Sequence, residues 1–143
     1  MRDKQNKMDE ASGDNKVIEL RAFKTWMGDD GICYTVVKPN AIIELEDALA
    51  NTEAVKKVSM DAIYPILVNL KQIHSISKPA RDHFSMQNRT AGVTAIGMLI
   101  KSPGSRIIGN FFLGLNKPTV PTKLFTDKDK AIAWLKQFVP QGK

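Results

Sequence analysis

His74 stands three residues ahead of Ser77, the one His–Ser pair with the makings of nucleophilic chemistry, in which an imidazole takes a hydroxyl proton. No Gly-x-Ser-x-Gly turn, third orienting carboxylate or oxyanion loop accompanies it, so a structural serine is the simpler reading. The other histidine is His83, and neither has the thiol or carboxylate spacing of a metal site. Cys33, the single cysteine, falls in a strand-like run where a small buried hydrophobe is expected. One cysteine excludes an internal disulfide and a multi-cysteine zinc site, in keeping with a reducing cytoplasm. Gly104, Gly109 and Gly114 match neither a phosphate loop nor a dinucleotide fingerprint, and close helix packing explains them. No catalytic residue, metal or cofactor is expected.

What remains is charge. The formal net charge is +6, yet between Asp61 and Asp127 eight basic residues face a single acid, Asp82. The apolar runs Tyr64–Leu70 and Val93–Ile100 have strand length, and if they lie parallel, the loops leaving their C-terminal ends are neighbours. That arrangement brings Lys71, Lys78 and Arg81 near Lys101, Ser105 and Arg106. Ser77 and Ser102 each start a helix at the same edge, and free backbone N–H groups, hydroxyls and guanidinium forks suit a phosphate, a carboxylate or an acidic partner loop. The plainer alternative is that both serines cap helices while the cations stay solvated. Nucleic acid is not the expected partner.

The elements that must position this edge are legible from the pattern. Residues 1–15 lack apolar periodicity and read as a disordered leader ahead of one domain over 16–140. With 43% hydrophobic and 25% charged residues, the chain can bury a core, and no apolar run approaches the ~20 residues of a membrane span. KVIELRAFKTW and ICYTVVK flank Gly28-Asp29-Asp30-Gly31, which predicts a β-hairpin. Ala41 to Leu45 makes a short third strand. Glu46 to Val58 then forms a helix with Ala48, Leu49, Thr52, Val55 and Val58 inward. Ser77 caps a helix to about Gln87, with Pro79 in its first turn and Ala80, Phe84 and Ser85 toward the sheet. A further helix follows Ser102, with Pro103 at its first position. Lys123 to Phe125 is a last strand, and Thr126 caps a final helix whose Ala131, Trp134, Leu135 and Phe138 form a core stripe. The fold class is α/β, with a mixed, largely parallel sheet, an N-terminal β-hairpin and about four helices.

The segments ILVNLKQIHSISKPARDHF (66–84), SPGSRIIGNFFLGLNKP (102–118) and PTKLFTDKDKAIAWL (121–135) carry a resemblance to the STAS fold of anti-sigma-factor antagonists. The chain is most similar to small bacterial STAS-like domains of unknown function. In the antagonists an Asp-Ser-Ser-Gly turn opens the helix after the central strand, and its second serine accepts phosphate. Set against that turn, Ser77-Lys78-Pro79-Ala80 places Ser77 at the aspartate and Pro79 at the phosphoacceptor. Proline has no hydroxyl, so the resemblance implies the fold and a habit of protein interaction without that switch. The expected function is a non-enzymatic cytoplasmic regulatory or protein-interaction domain. The alternative is a small anionic-ligand or lipid carrier using the cationic edge. A homodimer is expected through Phe112 and Leu113, since the helix after Ser102 has more apolar surface than one face buries.

Overall fold

The computed structural model describes residues 16–60, 62–87, 92–101 and 120–140. The expected leader, the helix after Ser102, and with it Ser105, Arg106, Phe112 and Leu113, lie outside the described residues.

The first alternating run divides into two strands, β1 (Val17–Glu19) and β2 (Phe23–Met27). A corner at Leu20–Ala22 separates them, closed by the Leu20 N–H donating to the Phe23 carbonyl at 2.8 Å. β2 pairs antiparallel with β3 (Cys33–Val37) across the Gly28–Gly31 turn. Gly31 there has φ +84°, and a Cβ would meet Val139 Cγ1 at 2.8 Å, so both conformation and space require glycine. Asp30 completes the turn by accepting from the Ile32 N–H at 3.0 Å and the Tyr34 hydroxyl at 2.6 Å.

The short strand after the hairpin, β4 (Ile42–Ile43), leaves the main sheet and pairs parallel with β6 (Ser75–Ile76). The main sheet adds β5 (Tyr64–Asn69), β7 (Val93–Leu99) and β8 (Thr122–Phe125) in the order β1-β2-β3-β5-β7-β8, with β3 through β8 parallel. Three helices are described: α1 (Leu45–Ser59), α2 (Lys78–Gln87) and α3 (Lys128–Lys136). One face of the sheet packs on α1 and α2 through Phe23, Val37, Ile43, Ala48, Ala80 and Met98. The other packs on α3 through Trp26, Leu67, Ala95, Leu99, Ala131 and Leu135. Both faces are apolar, as parallel strands covered on two sides demand.

Two local expectations are corrected. The final helix is capped by Asp127, whose carboxylate accepts from the Lys130 N–H at 3.1 Å, one residue past the expected Thr126. An ionised carboxylate at a helix start also meets the positive end of the helix dipole, an advantage a hydroxyl lacks. In α1 the buried face is rotated. Asp47, Ala48, Asn51, Ala54, Val55 and Ser59 are inward, whereas the expected Leu49 is 47% exposed.

The rotation follows from polar partners that a hydrophobicity count cannot see. Asp47 accepts from Arg21 Nε at 3.0 Å and from the Glu44 N–H at 2.9 Å, and also pairs with the second guanidinium nitrogen. That same nitrogen donates to the Ile42 carbonyl at 3.1 Å, so the β1–β2 corner, β4 and the start of α1 are held at one point. The carboxylate beside it holds the Arg21 guanidinium above its ordinary value. Asp47→Ala is expected to cost about 1–3 kcal/mol, since it removes a helix cap and leaves the Glu44 N–H without its acceptor. Asp47→Asn keeps one acceptor oxygen and should cost about half as much, as read from urea midpoints.

Candidate functional site

The parallel register places Val36, Asn69, Leu99 and Phe125 in one row across β3, β5, β7 and β8. The ladder runs on past the row, with the Leu70 N–H donating to the Leu99 carbonyl and the Ile100 N–H to the Phe125 carbonyl, both at 2.8 Å. Lys71 and Lys101 therefore leave the same edge of neighbouring strands, Lys71 half-buried and Lys101 exposed. Asn69 turns the chain there by accepting from the Lys71 N–H at 3.0 Å. Lys38, two residues past Val36, leaves β3 at the same edge, although in the sequence it stands well ahead of the basic stretch. Its ammonium pairs with Glu19 at 2.9 Å and holds that exposed carboxyl below its usual value.

The Ser77 segment is built from different neighbours. β4 and β6 run parallel with Ile43 beside Ile76, and a helix begins just after each strand. The Ser77 N–H donates to the Ile43 carbonyl at 2.9 Å, while the Ser77 hydroxyl accepts from the Ala80 N–H at 3.3 Å. Ser77 thus caps α2 as expected, with Pro79 at the second helical position where its missing N–H costs nothing. The helix start beside it is that of α1, with Glu44, Glu46 and Asp47, so this corner carries both signs of charge.

Both cations of the Lys78-x-x-Arg81 motif have acceptors within the chain. Lys78 pairs with Asp82 at 2.9 Å, an i,i+4 pair on an exposed face. Arg81 folds back so that one terminal guanidinium nitrogen donates to the Ile76 carbonyl at 2.8 Å. An incoming anion competes with these contacts. Exposed pairs of the Lys78–Asp82 kind are worth only ~0–1 kcal/mol, so Lys78 is the easier of the two to recruit.

The remaining candidates for chemistry resolve as structure. His74 is exposed, and its side chain makes no hydrogen bond to Ser77 among the described residues. His83 Nε2 lies 2.8 Å from the Thr52 hydroxyl and joins α2 to α1. Cys33 is fully buried, and burial pushes its thiol up to about 12, far from a reactive thiolate. Near the paired helix starts, Ile42, Leu45 and Leu49 are exposed apolar residues, the last two one turn apart on α1. No composition count isolates that stripe, because its members look like core until Asp47 and Asn51 claim the inward face.

This architecture has counterparts among solved structures. An uncharacterised DUF3478-family protein with a SpoIIAA-like fold from Shewanella loihica PV-4 superposes with a TM-score of 0.58 at 13% identity, covering 85% of this chain and 91% of that one. An anti-sigma factor antagonist from Mycobacterium paratuberculosis gives a TM-score of 0.57 at 19% identity, covering 85% and 92%. The fold is therefore SpoIIAA-like, that of the STAS domains. A protein of unknown function from Arthrobacter sp. fb24 is 30% identical over 78% of this chain and 96% of its own, with a TM-score of 0.31. No curated protein matches. With residues 25–139 matched by its family model, the chain belongs to the family described as domain of unknown function DUF7793.

Proposed function

We propose that the protein is a non-enzymatic regulatory or protein-interaction domain of STAS type that works without a phosphoacceptor at the start of α2. The observation that carries this reading is the exposed apolar stripe Ile42, Leu45 and Leu49 at the paired helix starts, beside a turn whose third residue is Pro79. An apolar stripe rimmed by charge is the composition of a protein-docking surface. Ser77, Lys78 and Arg81 flank the stripe beside the acidic start of α1, and Lys71 and Lys101 leave the neighbouring strand ends, so in this reading they supply charge toward an acidic partner surface. Ser105 and Arg106, which lie outside the described residues, are assigned to that surface in the same reading. Self-association as a homodimer through Phe112 and Leu113 belongs to the same reading.

The test is site-specific photocrosslinking in the cells that make the protein. A crosslinker at Leu49 is expected to give one discrete adduct, which is lost in Leu45→Glu and in Lys78→Glu. The same crosslinker at Asp129, on α3 across the sheet, should give none. Both substitutions are at exposed positions and should shift stability by no more than about 0.5 kcal/mol. Absence of any adduct at Leu49, or the same adduct from both faces, defeats the proposal.

A further inference from the structure

Between the sheet and the α1/α2 layer lies a cavity of about 120 Å³. Ile66, Val68, Ile96 and Met98 line it from β5 and β7, and Val55 and Phe84 from the helices. Close-packed interiors leave few voids larger than a water, so a partly open hollow of this size is a departure with room for a small occupant. An engineered apolar cavity of about 150 Å³ stays dry and takes up benzene, which sets the scale of molecule that fits.

The wall is not uniformly apolar. Asn51, 5% exposed, lines the cavity. Its carboxamide oxygen accepts from the Thr25 hydroxyl at 2.8 Å, and Thr25 in turn lies 2.9 Å from the Thr35 hydroxyl. With Thr25 committed as donor to Asn51, Thr35 donates to Thr25, and the chain of hydroxyls is satisfied. The Asn51 Nδ2 amino group has no acceptor among the described residues. That amino group is not among the atoms sealed from solvent, so it is open to an acceptor that enters the cavity. Lys56, on the same helix, lines the same space, with its side chain 60% exposed and its ammonium 3.9 Å from Glu53.

We propose that this cavity is a binding site for a small, largely apolar molecule bearing a carbonyl-type acceptor, held by the Asn51 amino group and favoured as the carboxylate by Lys56. The apolar body replaces the void between Val68, Met98 and Phe84, and the acceptor satisfies Asn51. Helical side chains lean toward the N-terminus of their helix, which carries the Lys56 ammonium back toward the level of Asn51. This site lies under the helices and is separate from the cationic edge and the Leu49 stripe.

Three probes separate the contributions, each titrated into the full chain and followed by methyl NMR: hexanoate, methyl hexanoate and toluene. All three should shift the Val68 and Met98 methyls, with hexanoate tightest and toluene weakest. Asn51→Leu should weaken hexanoate and methyl hexanoate about tenfold and leave toluene unchanged or tighter, since it removes the cavity's donor while conserving volume, and the Thr25 hydroxyl that loses its acceptor turns to Thr35. Lys56→Met, at an exposed position with little bearing on folding, should weaken hexanoate at least several-fold and spare the ester. The proposal is overturned if no probe shifts those methyls up to its solubility limit, or if the shifts map elsewhere. It is equally overturned if Asn51→Leu weakens all three probes alike, or if Lys56→Met leaves the hexanoate-to-ester ratio unchanged.

Discussion

Leu135→Ala is expected to destabilise the domain by about 3–5 kcal/mol and to lower its thermal midpoint by roughly 10–15 °C. Leu135 is completely buried and belongs to the cluster joining α3 to the sheet through Leu67, Ala95 and Leu99. It sits over Gly97 of β7, where a methyl group would lie 3.1 Å from Leu135 Cδ1 and 3.4 Å from Leu67 Cδ1. The missing side chain at Gly97 is what lets the helix approach so closely. The surroundings cannot collapse into the vacated space, because the two ends of the helix are tied independently. Asp127 caps one end, and at the other the Thr94 hydroxyl donates to the Phe138 carbonyl at 2.8 Å while Val139 meets the Gly31 turn. Gly97→Ala in the otherwise unchanged protein should cost about 1–2 kcal/mol by overpacking. In the Leu135→Ala background that cost should vanish or reverse, giving a coupling of about 1–2 kcal/mol in a double-mutant cycle. A Leu135→Ala loss below about 1 kcal/mol would show that α3 does not rest on β7 as described.

The same contrast between local and distant constraints explains what the sequence discloses. The Gly28–Gly31 turn, the β5 and β7 runs and the Ser77-x-Pro79 helix start are each specified within a few residues, by φ, by apolar continuity or by a cap. They are legible for that reason. The buried face of α1 is not, because Asp47 and Asn51 are inward only by virtue of Arg21 and Thr25, each 26 residues away. A polar residue with a distant partner breaks any periodicity that assumes polar means outward. β4 and β6 are two residues long and owe their existence to each other, so neither has a pattern of its own. The cationic edge was legible in part. Parallel β5 and β7 bring Lys71 and Lys101 together, whereas Ser77, Lys78 and Arg81 sit against β4 and the acidic start of α1, a pairing that depends on β4–β6.

Raising the pH above about 9 should unfold the domain progressively, and Cys33 should set the onset. Burial pushes its thiol from an ordinary 9.0 to about 12. Tyr64 is raised from 10.0 to about 12, first by burial and then by the neighbouring Cys33, against a lowering hydrogen bond from Ser59. Tyr34 is also raised, by burial first and then by its hydrogen bond to Asp30. Each group is an acid held neutral in the fold, so the folded chain keeps protons that the unfolded chain releases. Stability from this source is complete below the unfolded values and is lost as the pH climbs from 9 toward 12, with a slope of about 1.4 kcal/mol per pH unit for each group titrating. For Cys33 alone the full loss is on the order of 4 kcal/mol. Cys33 and Tyr64 share one small cluster with Val55, so their ionisations oppose each other and the losses do not simply add. Urea midpoints measured from pH 7 to 11 should fall from about 9 in the unmodified protein. In Cys33→Ala, whose midpoint at pH 7 is lower by the lost packing, the fall should begin only near 10, where the tyrosines take over. A stability profile flat to pH 11, or one that Cys33→Ala leaves unmoved, would mean that water reaches the β3–β5 interior and that the thiol is not held as its burial requires.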